Sequence, residues 1–503
     1  MTSPALAITL DIGGSAAKAY AYDVQRGRTA AMAAAPYAAP HLPSDPGMFE
    51  PDSWWLSAVA ALRVLRDQLD VPGGSYAGVT VSAIRIPFVL LGRDGDVVMP
   101  GLLNKDRRAE GQVAELAAAV GQAEIYRQTG HWLAPEFGLA KMLWNRERFP
   151  GAWARARHLL QLHDWFIYKL SGTIVSEPSS AAMSQSLDVT GRSWAGEVLS
   201  AVGIKASLFP ELVPAGSVAG GLRPGVAAAT GLPAGLPVHV GGGDTHLSAA
   251  SAQGAGRASK VVVAGTTAPA IVTVPRDRLP RPTASAYPLL VSEHVVAGQW
   301  ALEANAGFAG GVLAMLDGLA GLSGAELREQ LTRRGMALRD GDNVMVLAGN
   351  PHFGPDGWQA LPPPTVIGLQ PGHTGADVRR AALRCTCFAI RSILGTLASA
   401  PGHAAAGITA TGGMSRDAAW AQLLADVTGT AVRVFPLDQI AGRAGAALIA
   451  QQPAAPADGE LIFSPRPDRS AELEQECARY QAVYREVQRE VARPGSGGPC
   501  WHS

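Results

Sequence analysis

Four short stretches of this 503-residue chain set glycines beside a carboxylate, a hydroxyl or a lysine at spacings suited to phosphate chemistry. The first is Asp11-Ile12-Gly13-Gly14-Ser15, with Lys18 following closely. Glycines at a strand end let backbone N–H groups point at a phosphate, Ser15 adds a donor and Lys18 a positive charge. Asp11 could hold Mg²⁺, usually through water, because Mg²⁺ dehydrates reluctantly. The second stretch is Gly265-Thr266-Thr267. The third, Gly241-Gly242-Gly243-Asp244, reads as a strand end that opens a helix. A carboxylate there can accept the proton of an attacking hydroxyl, and the helix N-terminus favours its ionised form. The fourth, Thr411-Gly412-Gly413-Met414-Ser415, lies where a strand turns into a helix and an adenine or phosphate can approach the backbone. Each also has a plain structural explanation: hairpin turns for the first two, a helix cap for Asp244, a strand-to-helix turn for the fourth. Locally, cap and base explain Asp244 equally well. The chain has no GxxxxGK[ST], so any phosphate site is not of the P-loop type.

The surrounding pattern predicts the elements that must carry these stretches. Residues 5–24 read as a hairpin whose two glycines permit positive φ. A helix is expected at about 52–70 with Asp52 or Ser53 as N-cap, followed by the strand YAGVTVSAI and a DG turn joining two strands in PFVLLGRDGDVV. Further helices are expected at 108–122, 139–149 and 194–203. A second hairpin, KVVVAGTTAPAIVTV at 260–274, repeats the layout of the first and points to an internal duplication. Helices at 305–320 and 325–335, a Pro/Gly-rich loop at 349–365, helices at 376–399, 415–428 and 441–451, and strands ITATGG and AVRVF complete the second half. Leu473, Cys477, Tyr480, Tyr484, Val487 and Val491 form one stripe of an amphipathic helix, a packing feature.

Bulk properties narrow the class. A domain holds roughly 100–200 residues, so two domains are expected. Lys+Arg and Asp+Glu are both 42, which argues against nucleic acid or an anionic membrane as partner. The four cysteines, Cys385, Cys387, Cys477 and Cys500, form no CxxC pair, against a zinc site or a disulfide framework and in keeping with a reducing cytoplasm. The start, MTSPALAITLDIGG, lacks a signal-peptide pattern, and no run reaches the ~18 apolar residues of a membrane span. A soluble cytoplasmic protein is the expectation.

Taken in order, the motifs resemble those of the FGGY carbohydrate kinases, which include xylulokinase, glycerol kinase, fuculokinase and gluconokinase. The residues that carry the resemblance are DIGGSAAK at 11–18, EPDSWW at 50–55, VMPGLLNKDRRA at 98–109, HDWFIYKLSGTIVSEPSSA at 163–181, GLPAGLPVHVGGGD at 231–244, AGTTA at 264–268 and ATGGMSRDAAWAQLLADVTG at 410–429. It spans roughly residues 7–492. It implies an α/β fold of two ribonuclease-H-like (actin/Hsp70/hexokinase-type) domains with an interdomain cleft: residues 1–252, residues 253–492 with the nucleotide, and a flexible tail at 493–503. It also implies ATP-dependent phosphorylation of a small sugar or polyol, with ATP and Mg²⁺ as cofactors. Asp244 sits at the family's catalytic base and Asp11 at the position associated with the metal. Gly13, Gly14, Ser15 and Lys18 match its first phosphate loop, and Gly265, Thr266 and Thr267 its second. Gly310 falls where the family contacts nucleotide, and Gly412, Gly413 and Ser415 match its adenosine loop.

The departures cluster on the acceptor side. Ile84-Arg85-Ile86 stands where xylulokinase-like members carry Gln-Met-His. Asn104 replaces the Trp of a WxDxR segment that keeps Asp106 and Arg108. Glu136 replaces a substrate-side Tyr, Thr245-His246 follows the base where Gln or Asn is usual, and Arg384-Cys385 replaces a helical Glu-Gly pair. Arg85, Asn104, Asp106, Glu136, Thr245 and His246 are therefore the expected acceptor contacts. A ketopentose such as xylulose is the favoured acceptor, with glycerol-like polyols or an aldonate paired to Arg85 as alternatives. A degenerate kinase that only senses a sugar or nucleotide is the competing reading. A homodimer is the assembly considered.

Overall fold

The computed structural model describes residues 6–69, 75–253, 259–281, 283, 289–319, 344–348, 350, 354, 364–403, 407–435, 437–452, 454 and 459–491. The sequence-based expectations for a helix at 325–335 and for the tail at 493–503 lie outside these residues, as does most of the loop at 349–365.

In the first half, β1 (Leu6–Ile12) and β2 (Ala16–Asp23) form the expected antiparallel hairpin, extended by β3 (Arg28–Pro36). The helix α1 (Pro51–Asp67) packs on β2 and β3. Next come β4 (Tyr76–Ala83), α2 (Leu162–Ser171), the short α3 (Pro178–Ala182), β5 (Val218–Gly221), β6 (Pro237–Gly243) and α4 (Asp244–Gln253). The six strands run in the order β5-β6-β4-β1-β2-β3, with β1, β4 and β6 mutually parallel. β1 reads LAITLDI with almost every residue buried, the signature of a strand covered on both faces.

The second half repeats the plan. Its elements are β7 (Ser259–Val263), β8 (Thr267–Pro275), β9 (Leu290–Glu293), β10 (Gln299–Phe308), α5 (Gly310–Leu319), α6 (Gly375–Ala398), β11 (Gly407–Thr411), α7 (Ala418–Thr428), β12 (Val432–Val434), α8 (Leu437–Ala450), β13 (Leu461–Phe463) and α9 (Pro467–Val491). Strand order is β9-β10-β8-β7-β11-β12-β13. Both sheets thus hold an antiparallel triplet (β1-β2-β3, β7-β8-β10) continued by two parallel strands (β4 and β6, β11 and β12). This is the two-domain, actin-like architecture.

The halves are laced together. Although α8 belongs to the second half, it packs on β1, β2 and β4 of the first. Gly445 of α8 lies so close to this sheet that a Cβ would stand 1.9 Å from Thr9 Oγ1. α6 is long and apolar enough to cross a membrane, unlike anything read from the sequence, and 72% of that apolar window is buried inside the protein. It is the central core helix of the second half. The stripe on α9 is buried at Leu473, Cys477, Tyr480 and Tyr484, as its spacing predicts.

Several boundaries differ from the sequence reading, three of them near the motifs. Residues 305–308 extend β10 instead of opening a helix, because Ala304 and Asn305 pair with Ala270 and Pro269 and strand pairing overrides alanine's helical preference. The N-cap of α1 is Glu50, with Pro51 in the first turn. Residues 413–416 form a 3₁₀ turn, so α7 starts at Ala418 with Asp417 as its cap, accepting from the N–H groups of Ala419 and Trp420.

Candidate active site

Three parallel strands of the first sheet, β1, β4 and β6, end side by side, and a charged residue stands at or just beyond each end: Asp11, Arg85 and Asp244. Ser82 Oγ donates to Asp11 Oδ1 at 2.9 Å, and Lys18 Nζ lies 3.6 Å from Oδ2. Asp244 begins α4 and is only partly covered. Its Oδ1 accepts from the Thr245 N–H at 2.7 Å and the Thr245 hydroxyl at 3.1 Å. Among the described residues, none hydrogen-bonds to Oδ2. Burial, opposed by Arg85 and reinforced by the Asp11 charge, pushes the Asp244 carboxyl up to about 6. It is still ionised at neutral pH, but more basic than an ordinary aspartate.

Each of the three glycines before Asp244 has its own reason. A Cβ on Gly241 would stand 1.7 Å from Val81 O, one on Gly242 2.6 Å from Val295 Cγ1 of the second half, and one on Gly243 2.5 Å from Arg85 Cδ. The Arg85 side chain therefore lies across the strand end that carries Asp244. Its guanidinium then reaches β10, where Nη1 and Nη2 bind the two oxygens of Glu303 at 2.8 and 2.9 Å. Both side chains are almost fully buried. Burial opposes the Arg85 charge, and Glu303 outweighs it. The next residue, Ile86, has φ +91°, a strained conformation for a β-branched residue of the kind that collects at functional sites.

His246 lies on the inner side of α4, fully buried, its Nε2 3.3 Å from Ser292 Oγ and its ring stacked 5.4 Å from that of His294. Burial holds His246 well below the ordinary histidine value and His131 and His294 down at about 4, so all three are neutral. Glu136 is paired with Arg107, and its Oε2 is buried without a partner. Both Asp106 oxygens accept from Arg108 Nε (2.8 and 2.9 Å), and Arg108 also grips Asp45. Asn104 sits in the same loop, and its carbonyl accepts from Lys141 Nζ at 3.1 Å.

The loop of the first hairpin faces open space. Nothing lies within 4 Å of where a Gly14 Cβ would be, and Gly14 and Ser15 are exposed. Neither Gly13 nor Gly14 uses the positive φ that the sequence reading allowed them. The Tyr37 hydroxyl clamps this loop by donating to Gly13 O at 2.9 Å, and Tyr37 in turn stacks on Trp54 of the tryptophan pair.

The second hairpin, the start of α5 and the 412–415 turn form one knot. Gly310 and Gly311 donate to the carbonyls of Gly265 and Thr266 at 3.1 and 3.0 Å, and Met414 N–H donates to Ala264 O at 3.0 Å. Gly412 has φ +92°, and a Cβ there would lie 2.5 Å from Ala264 O. Ser415 Oγ donates to Gly412 O at 2.8 Å. Gly265, Thr266, Gly310, Gly412 and Ser415, with Thr267 and Gly413 beside them in the chain, are thus brought together in the second half, whereas Asp11, Gly13, Gly14, Ser15 and Lys18 belong to the hairpin of the first.

Sequence reasoning did not single out Glu303, Lys141, Glu177 or Ser179. Glu303 is the one charged residue in the strand QWALEANAGF, and that was its only signal. Lys141, fully buried, donates to Leu103 O and Asn104 O and is pushed down to about 7 by its burial.

Comparison with known proteins shows the family and agrees with this fold. Residues 6–251 match the N-terminal domain of the FGGY family of carbohydrate kinases and residues 260–451 its C-terminal domain. An autoinducer-2 kinase of Klebsiella pneumoniae subsp. pneumoniae is 26% identical over 95% of this chain and 93% of its own. One of Salmonella typhimurium is 26% identical over 98% and 96%. Among solved structures, xylulose kinase from Rhodospirillum rubrum superposes with a TM-score of 0.79 at 24% identity, covering 97% of this chain and 99% of that one. Plasmodium falciparum glycerol kinase with ADP superposes at 0.75 and 15% identity over 98% and 99%; at these identities the structures speak for the fold. The chain belongs to the FGGY family of carbohydrate kinases and is a kinase of sugar-like substrates that draws its phosphoryl group from ATP.

Proposed function

We propose that this kinase phosphorylates a hydroxyl of a neutral, hydroxyl-rich acceptor of ketopentose size, D-xylulose being the first candidate, with Asp244 as general base. The observation that carries the reading is Asp244 itself: partly covered at a strand end, Oδ1 fixed by Thr245, Oδ2 without a described partner, and its carboxyl raised to about 6. As the acceptor oxygen bonds to the γ-phosphorus and the bond to the β-phosphate oxygen breaks, Oδ2 takes the acceptor's proton and ADP leaves. Thr266, Thr267 and Ser15 offer hydroxyls, and both hairpin loops offer N–H groups, to the phosphates from opposite halves. Asp11 suits a Mg²⁺ site: its carboxylate has one close hydroxyl donor and one ammonium at 3.6 Å, and a cation there would relieve its repulsion of Asp244. Mg²⁺ would neutralise charge on the transferring phosphates.

The pocket chemistry favours a neutral acceptor over an aldonate. Arg85 is already neutralised by Glu303, and the orphaned Glu136 Oε2 accepts hydrogen bonds but repels a carboxylate. The full-length match to autoinducer-2 kinases makes autoinducer-2 the second candidate. A screen of ADP release with D-xylulose, other pentuloses, hexuloses, alditols, glycerol, gluconate and autoinducer-2 tests this. Turnover should be fastest with a neutral acceptor; gluconate as the best substrate would overturn the pocket assignment.

A further inference from the structure

The strand that delivers Asp244 is irregular just before its end. β6 pairs with β4 as Val238↔Val79 and His239↔Thr80, then resumes as Gly242↔Ser82 and Gly243↔Ala83. Two residues, Val240 and Gly241, therefore face the single residue Val81, which makes a bulge. A bulge frees backbone groups from the ladder, and a buried orphan N–H is costly. Here the Gly241 N–H donates to His163 Nε2 at 3.1 Å. The Gly243 N–H, one residue before the base, donates to Ser179 Oγ at 3.3 Å.

Each of these two acceptors is backed by a buried carboxylate. His163 Nδ1 lies 2.8 Å from Asp164 Oδ1. Since Nε2 accepts from Gly241, Nδ1 carries the proton and donates to Asp164, which fixes the tautomer. Asp164 is itself held by the Ser176 hydroxyl at 2.5 Å and by the Gln161 N–H at 3.3 Å, within the capping box of α2. Ser179 donates its hydroxyl to Glu177 Oε2 at 2.5 Å, and the Ser180 N–H donates to the same oxygen at 3.0 Å. His163, Asp164, Glu177 and Ser179 are all essentially inaccessible to solvent. The two arrangements come from different helices, α2 and α3, and converge on alternate N–H groups of one strand end.

We infer that His163 and Ser179 are positioning residues for the base: by accepting the Gly241 and Gly243 N–H groups they fix where the bulged strand end, and with it Asp244, stands. The inference rests on the reading of Asp244 as the base. Both side chains are shielded from solvent behind the strand end. Their loss should slow the chemical step and leave nucleotide binding alone, because the nucleotide knot lies in the other half.

The test compares His163→Leu, His163→Gln, Ser179→Ala and Asp244→Ala with wild type. Turnover is measured with ATP and the acceptor that wild type phosphorylates fastest in the screen, and amide hydrogen exchange is measured over residues 238–247. Leucine removes the acceptor atom, whereas the glutamine oxygen can replace Nε2. H163L should lower kcat about 30-fold or more at an ATP KM within about twofold of wild type, and raise exchange at 241–244; H163Q should recover most of both. S179A should act in the same direction by about 5–10-fold, and it keeps the comparison decisive if H163L does not fold. Folded H163L or S179A with wild-type kcat, or H163Q no better than H163L, would overturn the inference. If D244A retains wild-type turnover, the base reading itself falls. If D244A is inactive while H163L and S179A are unimpaired, only the positioning role falls.

Discussion

The two halves of the molecule build the same pattern of an antiparallel triplet followed by two parallel strands, and place opposite chemistry on it. At the ends of β1, β4 and β6 stand Asp11, Arg85 and Asp244. The matching ends of β7, β11 and β12 carry Gly265, Gly412 and Phe435, with no charge among them. The first half holds fixed charges that can move a proton or oppose phosphate charge. The second half holds bare backbone and hydroxyls, drawn so close that Gly412 and Gly310 admit no side chain. On the proposed roles, one scaffold separates bond-making from nucleotide cradling. Arg85–Glu303 is the most deeply buried of the ion pairs described between the halves, with Glu303 rising from the second sheet to meet an arginine of the first; Arg192–Glu293 is a more exposed one.

The largest effect is expected at that crossing. Glu303→Leu alone would leave the Arg85 guanidinium buried without its counter-charge, a loss of about 3–5 kcal/mol in a urea melt. The double change Arg85→Met with Glu303→Leu should return near wild-type stability, since two apolar groups leave no orphan charge. A Glu303→Leu protein as stable as wild type would mean that the halves are not pinned there.

The comparison itself is tested by one substitution in each half. Asp244→Ala should lower kcat by at least ~10²-fold with little change in the ATP KM. Gly412→Ala should do the reverse. Its φ of +92° and a Cβ 2.5 Å from Ala264 O force the turn to move, at about 1–3 kcal/mol, and the ATP KM should rise roughly tenfold or more with kcat largely kept. If both variants changed the same kinetic constant, the division of labour between halves would be wrong.

What the sequence disclosed follows from which interactions are local. Both hairpins, α4 and the stripe on α9 are set by short-range periodicity and were readable as such. The glycine triplet before Asp244 was visible, but its reasons were not. They lie in Val81, Val295 and Arg85, far apart in the chain and adjacent only after folding. Strand residues 305–308 were misread because alanine favours helix locally and pairing with β8 is a long-range fact. Glu303 and His163 were hidden for the same reason. A buried carboxylate or imidazole declares its task through its partner, here Arg85 or the Gly241 N–H, and no spacing rule names that partner. His246 was visible from its place two residues past the base, but its neighbours Ser292 and His294, far along the chain, were not.

The smallest expected effect on stability concerns the charge of the base. Its folded-state pKa, about 6, lies above the ordinary 3.8. Activity needs the ionised carboxylate, so kcat/KM for the acceptor should fall about tenfold per pH unit below pH ~6 and level off above it. Stability has the opposite sign. The folded protein binds this proton more tightly than the unfolded chain, so ionised Asp244 opposes folding most fully above pH ~6. The penalty relaxes as pH falls through that value and is gone below the unfolded pKa. Asp244→Asn should therefore stabilise the ligand-free protein at pH 7.5 by about 1–2 kcal/mol, after discounting for the partly exposed site, while abolishing turnover. The gain should shrink towards zero by pH 4. No stabilisation at pH 7.5 would show that Asp11 and burial do not strain the base, and would weaken the contrast between a charged first half and a neutral second one.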